Sequence, residues 1–147
     1  MRSLPSTVIR VGEHLLTVIW IGSLWTIGFI VAPTLFHVLD DRALAGVIAG
    51  HLFSIESYLG LLCGGLLLLI AWYNTSTGQR FSWRVGLLAT MLVIVGVGEF
   101  GLQPMLAALK AQGLSAEFAR WHGVSATLYL LNSLLGLVVV ATSHQGN

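Results

Sequence analysis

The stretch HLLTVIWIGSLWTIGFIVAPTLFH, residues 14–37, sets the class of the chain. Between His14 and His37 it contains no charged side chain. About 20 consecutive apolar residues are enough to cross the hydrocarbon core of a bilayer, so this run predicts a membrane-spanning helix. It is too long for the core of a secretory signal, and no small-residue cleavage motif follows it. We therefore expect a retained first transmembrane helix.

The composition of the whole chain points the same way. Only 9% of the 147 residues are charged and the mean hydropathy is +0.86, whereas soluble domains carry about 25% charged residues. The expected surroundings are therefore a lipid bilayer. A net charge of +1 argues against nucleic acid as a partner. The single cysteine, Cys63, excludes an internal disulfide, and its apolar neighbours indicate a small packing residue.

Three further apolar runs complete the prediction of an all-α, integral membrane four-helix bundle in one domain, residues 1–147. The four spans are expected at about 14–37, 54–73, 85–102 and 120–142. Short interfacial helical segments should follow the first and third spans. The first is expected at residues 43–53, with a break or bend at Gly50, and the second at MLAALKAQ, residues 105–112.

Helix ends and helix contacts also leave signals. Pro33 and Pro104 mark places where a helix kinks or stops. Asp40 or Asp41 is placed to cap the second helix, and Gly113 is placed to end a helix. Two small-xxx-small pairs allow close approach of helices, within the chain or against a second copy or another membrane protein. These pairs are Gly46 with Gly50 and Gly60 with Gly64.

The distribution of Lys and Arg predicts the orientation. Four cationic residues fall on the side of the two termini, and three fall on the other side. The excess favours both termini and the loop at residues 74–84 in the cytoplasm of a bacterium, with the protein in its inner membrane. The first group is Arg2, Arg10, Arg80 and Arg84; the second is Arg42, Lys110 and Arg120.

Most polar residues of the helices should meet at the non-cytoplasmic end of the bundle, because four spans bring the same four helix ends together. Glu99 lies fifteen residues after Arg84, a rise of about 22 Å, so it should still be inside the hydrocarbon. An acid at that depth should face a partner or a wet cavity. We expect Glu99 near His122, with Glu56 and Gln103 beside them.

Several roles stay open for these residues. His37, His51, Glu56, Glu99 and His122 are candidate metal ligands, although each also suits an interfacial or helix-pairing role. Residues with an expected structural polar role are Gln103, Arg120, Tyr129 and Asn132. His14, at the opposite face, is a candidate haem axial ligand. No cofactor is predicted outright; haem or a transition metal remains an alternative.

The motifs of the chain resemble a known family. WIGSLWTIGFIVAPTLF in helix one, RALAGVIAGHLF at the start of helix two, and EFARWHGVS with Asn132 downstream are similar to the bacterial members of the transmembrane protein 205-like family. That family is also known as a domain of unknown function. The resemblance covers nearly the whole chain and implies a four-helix membrane protein, without an established catalytic residue. HLLTVIWIG alone also resembles the first helix of copper-resistance D-type proteins and of four-helix protoporphyrinogen oxidases.

Three functional classes follow from the sequence. The preferred one is a non-enzymatic membrane protein acting in membrane packing, assembly or stress and metal tolerance, since the chain has no nucleotide motif, nucleophile triad or cysteine metal motif. The second is a metal- or haem-handling protein that uses the histidine and acid cluster. The third is a small proton-coupled permease.

Overall fold

The computed structural model describes residues 6–74 and 83–143, and these residues form helices joined by short turns. The predicted loop at residues 74–84 lies largely outside the described residues, as do Arg2 and Arg80. The elements are α1 (Ser6–Thr26), a first π turn (Ile27–Val31), α2 (Ala32–Val38), α3 (Arg42–Asn74), α4 (Trp83–Gly96), a second π turn (Val97–Leu102), α5 (Gln103–Ala111) and α6 (Ser115–Ser143).

These elements make four long helices, each long and apolar enough to cross a membrane. Only 22% to 28% of the residues in the most apolar part of each helix are buried within the protein. Most apolar side chains therefore face outward, where lipid can cover them. The predicted all-α four-helix bundle is confirmed. The four helices are Thr7–Val38, Arg42–Tyr73, Trp83–Ala111 and Ser115–Thr142.

Both π turns precede a proline, and this placement has a physical reason. Proline has no N–H, and its ring clashes with the carbonyl four residues before it. For Pro33 that residue is Phe29, and for Pro104 it is Phe100; each lies inside a π turn. The wider turn accommodates the ring, so the helix continues past each proline as α2 and α5.

The break predicted at Gly50 is wrong, because α3 is one unbroken helix, whereas the alternative of a bend there stays a prediction. A glycine inside a helix costs only about 1 kcal/mol relative to alanine, and no proline follows to remove a hydrogen bond. The predicted helix ends fare better. Asp41 caps α3, since its Oδ1 accepts from the backbone N–H groups of Ala43 and Leu44 at 2.8 and 3.1 Å. Gly113 follows the end of α5 with φ +72°, as a C-terminal cap requires.

One half of the bundle is tightly packed around Trp20, which is fully buried. A Cβ added at Gly60 would lie 2.5 Å from Trp20 Nε1, and one at Gly64 would lie 2.7 Å from the far edge of the same ring. This second small-xxx-small pair therefore brings α3 directly against the indole of α1. The cluster occupies the middle of the bundle and the end near Ser6 and Trp83, hereafter the terminal end. Its other buried members are Ile21, Cys63, Leu67, Leu88, Met91, Val95 and Val139.

The other end is more open. Residues 39–41 join α2 to α3 there, and residues 112–114 join α5 to α6, so we name it the turn end. Extensive packing at this end, among the described residues, pairs α2 with α3 and α5 with α6. Residues 6–74 and residues 83–143 thus form two helical hairpins. At the turn end, α2 and α3 separate from α5 and α6, which leaves a space between the hairpins.

Candidate functional site

A cavity of about 1070 Å³ fills the space between the hairpins. It extends from Arg42, Lys110 and Gly113 at the turn end to Asn132 and Glu56 in the interior. Glu56 lies fourteen residues into α3, about 21 Å from Arg42 along the helix. The inner part of the cavity is therefore at membrane depth. We call it the acid cavity, after Glu56 and Glu99 in its wall.

Glu56 is the most unusual residue of the wall. Its side chain is only 2% exposed, and its Oε1 has no hydrogen-bond partner. Carboxylates are almost never buried to this extent unless they are paired. An unsatisfied buried oxygen of this kind requires a donor that the described side chains do not supply.

Glu99 lies beside Glu56, close enough for the two carboxylates to repel each other when both are charged. Glu99 Oε1 accepts a hydrogen bond of 2.8 Å from the hydroxyl of Ser54, which ties the second π turn to α3. Its other oxygen, Oε2, is buried without a partner. Two neighbouring acids thus each present one unsatisfied oxygen.

Asn132 and Tyr129 complete the polar part of the wall from α6. Asn132 is 2% exposed and its Oδ1 has no partner. The Tyr129 hydroxyl donates to the carbonyl oxygen of Leu24, just before the first π turn. Its ring crosses Gly28, where any Cβ would collide with the ring, and it packs edge-on against Phe53 at 5.0 Å.

The rest of the lining is mainly apolar, and two cations lie at the mouth. Phe36, Leu102 and Leu106 are among the apolar lining residues. Arg42 and Lys110 line the outer part and are exposed at the turn end. A large apolar chamber with a few convergent polar groups is the usual form of a small-molecule site.

The acid cavity brings together six of the residues selected from the sequence. Glu99 and His122 both line it, yet the structure gives no hydrogen bond between these two described residues; His122 instead stacks on Phe118 with ring centroids 5.7 Å apart. Their predicted proximity stays a prediction. The six are Glu56, Glu99, Gln103, His122, Tyr129 and Asn132.

The other selected residues lie elsewhere. His37, His51 and Arg120 are exposed and do not line the cavity, and His14 is exposed on α1 toward the terminal end. Within residues 6–74 and 83–143, no group of three or more His, Cys, Asp or Glu side chains converges on a point where a metal ion would sit. The five candidate metal ligands are thus not assembled into one cluster.

Sequence reasoning missed Ser54, Gly28 and Phe53. Ser54 is one helical turn from Tyr58 and two residues from Glu56, but its partner, Glu99, is on another helix. Gly28 matters because a ring from α6 crosses it. The available signal was the cluster Ser54, Glu56 and Ser57, three polar residues in four positions of an apolar helix.

Comparisons with known proteins identify the family of the chain. A family model described as "Domain of unknown function (DUF4149)" matches residues 15–115. No curated protein matches the chain. No solved structure matches it either. Because residues 15–115 are well over half of the 147 residues and include both π turns and both acids, the chain belongs to the DUF4149 family.

Proposed function

We propose that this protein is a small, non-enzymatic permease that binds a lipophilic cation in the acid cavity and moves it across the membrane. The observation that carries the proposal is Glu56, a carboxylate that is 2% exposed with one oxygen unpartnered, in the wall of a 1070 Å³ cavity. Ionisable residues at membrane depth mark substrate or proton pathways more often than not.

The charge of the ligand follows from the unsatisfied buried atoms of the residues that line the cavity, since Trp20 Nε1, an unsatisfied donor, belongs to the closed half of the bundle. Glu56 Oε1, Glu99 Oε2 and Asn132 Oδ1 are all acceptors, and an ionised carboxylate has no donor to offer. Two acids side by side are costly unless a positive charge or a proton lies between them. A monovalent cation or an added proton would relieve the repulsion between the acids and would give the unsatisfied oxygens a partner. Transport of the cation would therefore be coupled to the proton by exchange of one for the other on the same acids.

The size and apolarity of the chamber define the rest of the ligand. A chamber of about 1070 Å³ is at the upper end of the range for drug-sized molecules. Phe29, Ile94 and Leu128 are typical of its walls. An organic cation with apolar groups would bury those groups here while its charge meets the acids. A small hydrated ion has no apolar groups to bury against the apolar walls.

The cations at the mouth do not oppose this ligand. Arg42 lies about 21 Å from Glu56 along α3, and its exposed guanidinium is screened by solvent ions over about 8 Å at physiological ionic strength. Its field at the acids is therefore weak. Arg42 and Lys110 line the outer wall, so they do not meet the charge of a ligand that is bound at the acids.

The other two functional classes predicted from the sequence explain fewer of these observations. A role in membrane packing or assembly explains the helices but leaves the unsatisfied oxygen of Glu56 without a purpose. Metal or haem handling would need several convergent ligands, and the described residues bring only Glu56 and Glu99 together. A stress-tolerance role is compatible with the permease, because removing lipophilic cations protects a membrane.

Transport in proteoliposomes tests the proposal. Purified protein should accelerate uptake of tetraphenylphosphonium when an outward proton gradient is imposed, and Glu56→Gln should abolish the acceleration. Tetraphenylborate, an anion of the same shape, is the control for leakage and should move equally with and without protein. Equal tetraphenylphosphonium flux through protein-free and protein-containing vesicles would contradict the proposal.

The sequence also supports a family relationship and a cellular location. The motifs WIGSLWTIGFIVAPTLF and EFARWHGVS support kinship with the transmembrane protein 205-like family. The Lys and Arg distribution supports a bacterial inner-membrane protein with both termini in the cytoplasm. A reporter fused after Asn147 should give a cytoplasmic signal. A periplasmic signal would reverse the orientation and place the turn end in the cytoplasm.

The two small-xxx-small pairs are the predicted contact sites for a second copy of the chain. Gly60 and Gly64 already pack on Trp20, so they are not available to a second copy. Gly46 and Gly50 line the acid cavity, so the open space at Gly50 belongs to the cavity and not to an outer face. Self-association would therefore use another helix face, and analytical ultracentrifugation in detergent measures it.

A further inference from the structure

Identical residues recur along the chain at a constant spacing of 71 positions. From Phe29 in the first π turn to Leu66 in α3, ten of the 38 positions match without insertion or deletion, and the matches include residue types that are rare in this chain. Two of its three tyrosines and both helical prolines take part. The pairs include Phe29 and Phe100, Pro33 and Pro104, His51 and His122, Ser54 and Ser125, Tyr58 and Tyr129, and Gly65 and Gly136.

We infer that the chain is a tandem duplication of one helical hairpin, and that the acid cavity is the ligand space between the two copies, opened and closed by their relative motion. Hairpin 1 comprises residues 6–74 and hairpin 2 residues 83–143. The statement about the ligand rests on the proposed function. The statement about the duplication does not.

The secondary structure repeats with the sequence. The first π turn, Ile27–Val31, falls 71 positions before residues 98–102, and the second π turn is Val97–Leu102. α2 begins at Ala32 and α5 at Gln103, again 71 positions apart. A long helix then follows a short turn in each copy. Since π turns are uncommon, their recurrence at the same register is not expected of unrelated helices.

The core repeats as well. Trp20 and Met91 are equivalent positions on the first helix of each copy, and both are completely buried. One turn further on, Leu24 and its equivalent Val95 are also buried. The first helix of each hairpin thus turns the same face toward the centre of the bundle.

The contacts between the copies are related in the same way. α6 packs on α1, and α3 packs on α4. Tyr129 of α6 lies across the first π turn at Gly28, and its equivalent Tyr58 of α3 lies against Phe100 of the second π turn at 6.3 Å. Each hairpin therefore touches the π turn of the other with the same tyrosine. This is the arrangement that a two-fold axis between the copies produces.

Equivalent residues line the acid cavity from both sides, so the axis runs through it. Substrate sites of membrane transporters built from repeats lie at such repeat interfaces. The lining pairs are Gly28 with Glu99, Ala32 with Gln103, and Phe36 with Ala107.

The polar groups break the symmetry. Glu56, Glu99 and Asn132 correspond to Thr127, Gly28 and Leu61. Position 28 has to be glycine because the ring of Tyr129 crosses it, whereas Tyr58 is 57% exposed and leaves room for the side chain of Glu99. The duplicated scaffold thus carries one acid site on one side of the axis. One ligand would bind at a time.

If the two hairpins rock against each other, one end of the bundle has to be closed while the other is open. The terminal half is closed on Trp20, and the turn end is open. Rotation of one hairpin against the other would narrow the turn end and separate the terminal end, with the acids near the pivot. Each hairpin would keep its own internal packing.

Distances between spin labels test the inference on the intact chain in nanodiscs, in a Cys63→Ala background. His37→Cys with Ala108→Cys labels equivalent positions of both copies at the turn end, and Leu69→Cys with Val140→Cys does so at the terminal end; all four positions are exposed. His37→Cys with Val47→Cys is the control within hairpin 1. The probe is tetraphenylphosphonium.

Both pairs between the hairpins should give broader distance distributions than the control pair. The probe should shorten the turn-end distance, lengthen the terminal-end distance and leave the control unchanged. Broad distance distributions that do not change when the probe is added would support relative motion of the two copies and would contradict the proposed ligand class. Distributions between the hairpins as narrow and as unresponsive as the control would overturn the inference.

Discussion

The hydroxyl of Ser54 donates a hydrogen bond of 2.8 Å to Oε1 of Glu99, and this contact joins the two hairpins inside the bundle. Ser54 is on α3 and Glu99 is in the second π turn. The bond satisfies one oxygen of Glu99 and leaves the other, Oε2, buried without a hydrogen-bond partner. It therefore holds one acid in place beside Glu56 without neutralising it.

Ser54→Ala should lower the free energy of unfolding by about 1–3 kcal/mol, because a partly buried carboxylate loses its donor. Thr127→Ala is the control, since its hydroxyl bonds to the backbone of its own exposed helix. That change should cost less than about 0.5 kcal/mol. SDS titration in mixed micelles measures both. Equal losses would show that the Ser54 bond does not hold the hairpins together.

Gly28→Ala should destabilise the bundle by about 1–3 kcal/mol, because the new methyl group collides with the ring of Tyr129. Gly98→Ala, in the other π turn, is the matched control, since nothing lies within 4 Å of its added Cβ. The control should be neutral or gain up to about 1 kcal/mol from helix propensity. Thermal unfolding followed by circular dichroism distinguishes the two. A harmless Gly28→Ala would mean that Tyr129 does not cross the first π turn.

Gly64→Ala and Gly65→Ala test the closed half of the bundle with adjacent residues. A Cβ at Gly64 would lie 2.7 Å from Trp20 and 2.8 Å from Leu92, whereas one at Gly65 meets nothing within 4 Å. The first change should lower the midpoint of thermal unfolding clearly and the second should not. The same loss for both would place Trp20 away from α3.

The sequence was sufficient to predict the four membrane helices and some helix ends, because each of those signals was local. Uncharged runs indicated the four helices, Asp40 or Asp41 indicated the start of α3, and Gly113 indicated the end of α5. The break expected at Gly50 failed because glycine weakens a helix without interrupting its hydrogen bonds. The π turns could not be predicted from hydrophobic periodicity, because they depend on how the helix backbone adjusts to accommodate each proline ring.

The site was only partly predictable. Topology alone placed Glu56, Glu99, Gln103 and His122 at one end, and all four line the acid cavity. Which groups touch depends on the rotation of each helix about its own axis. Sequence reasoning expected Glu99 near His122, which stays a prediction, and it missed Ser54, whose hydroxyl donates a hydrogen bond to Glu99. The cavity itself depends on the separation of the hairpins at the turn end, which no single helix encodes.

Equilibrium binding of tetraphenylphosphonium to the purified protein in nanodiscs tests the central claim most directly. The wild type should bind the cation saturably and should not bind tetraphenylborate at the same site. Glu56→Gln and Glu99→Gln should each weaken cation binding at least about tenfold, because each removes a buried charge that faces the ligand. His37→Ala, outside the cavity, should leave the affinity unchanged. Cation binding that is absent, or that is equally strong after Glu56→Gln in a folded protein, would contradict the account.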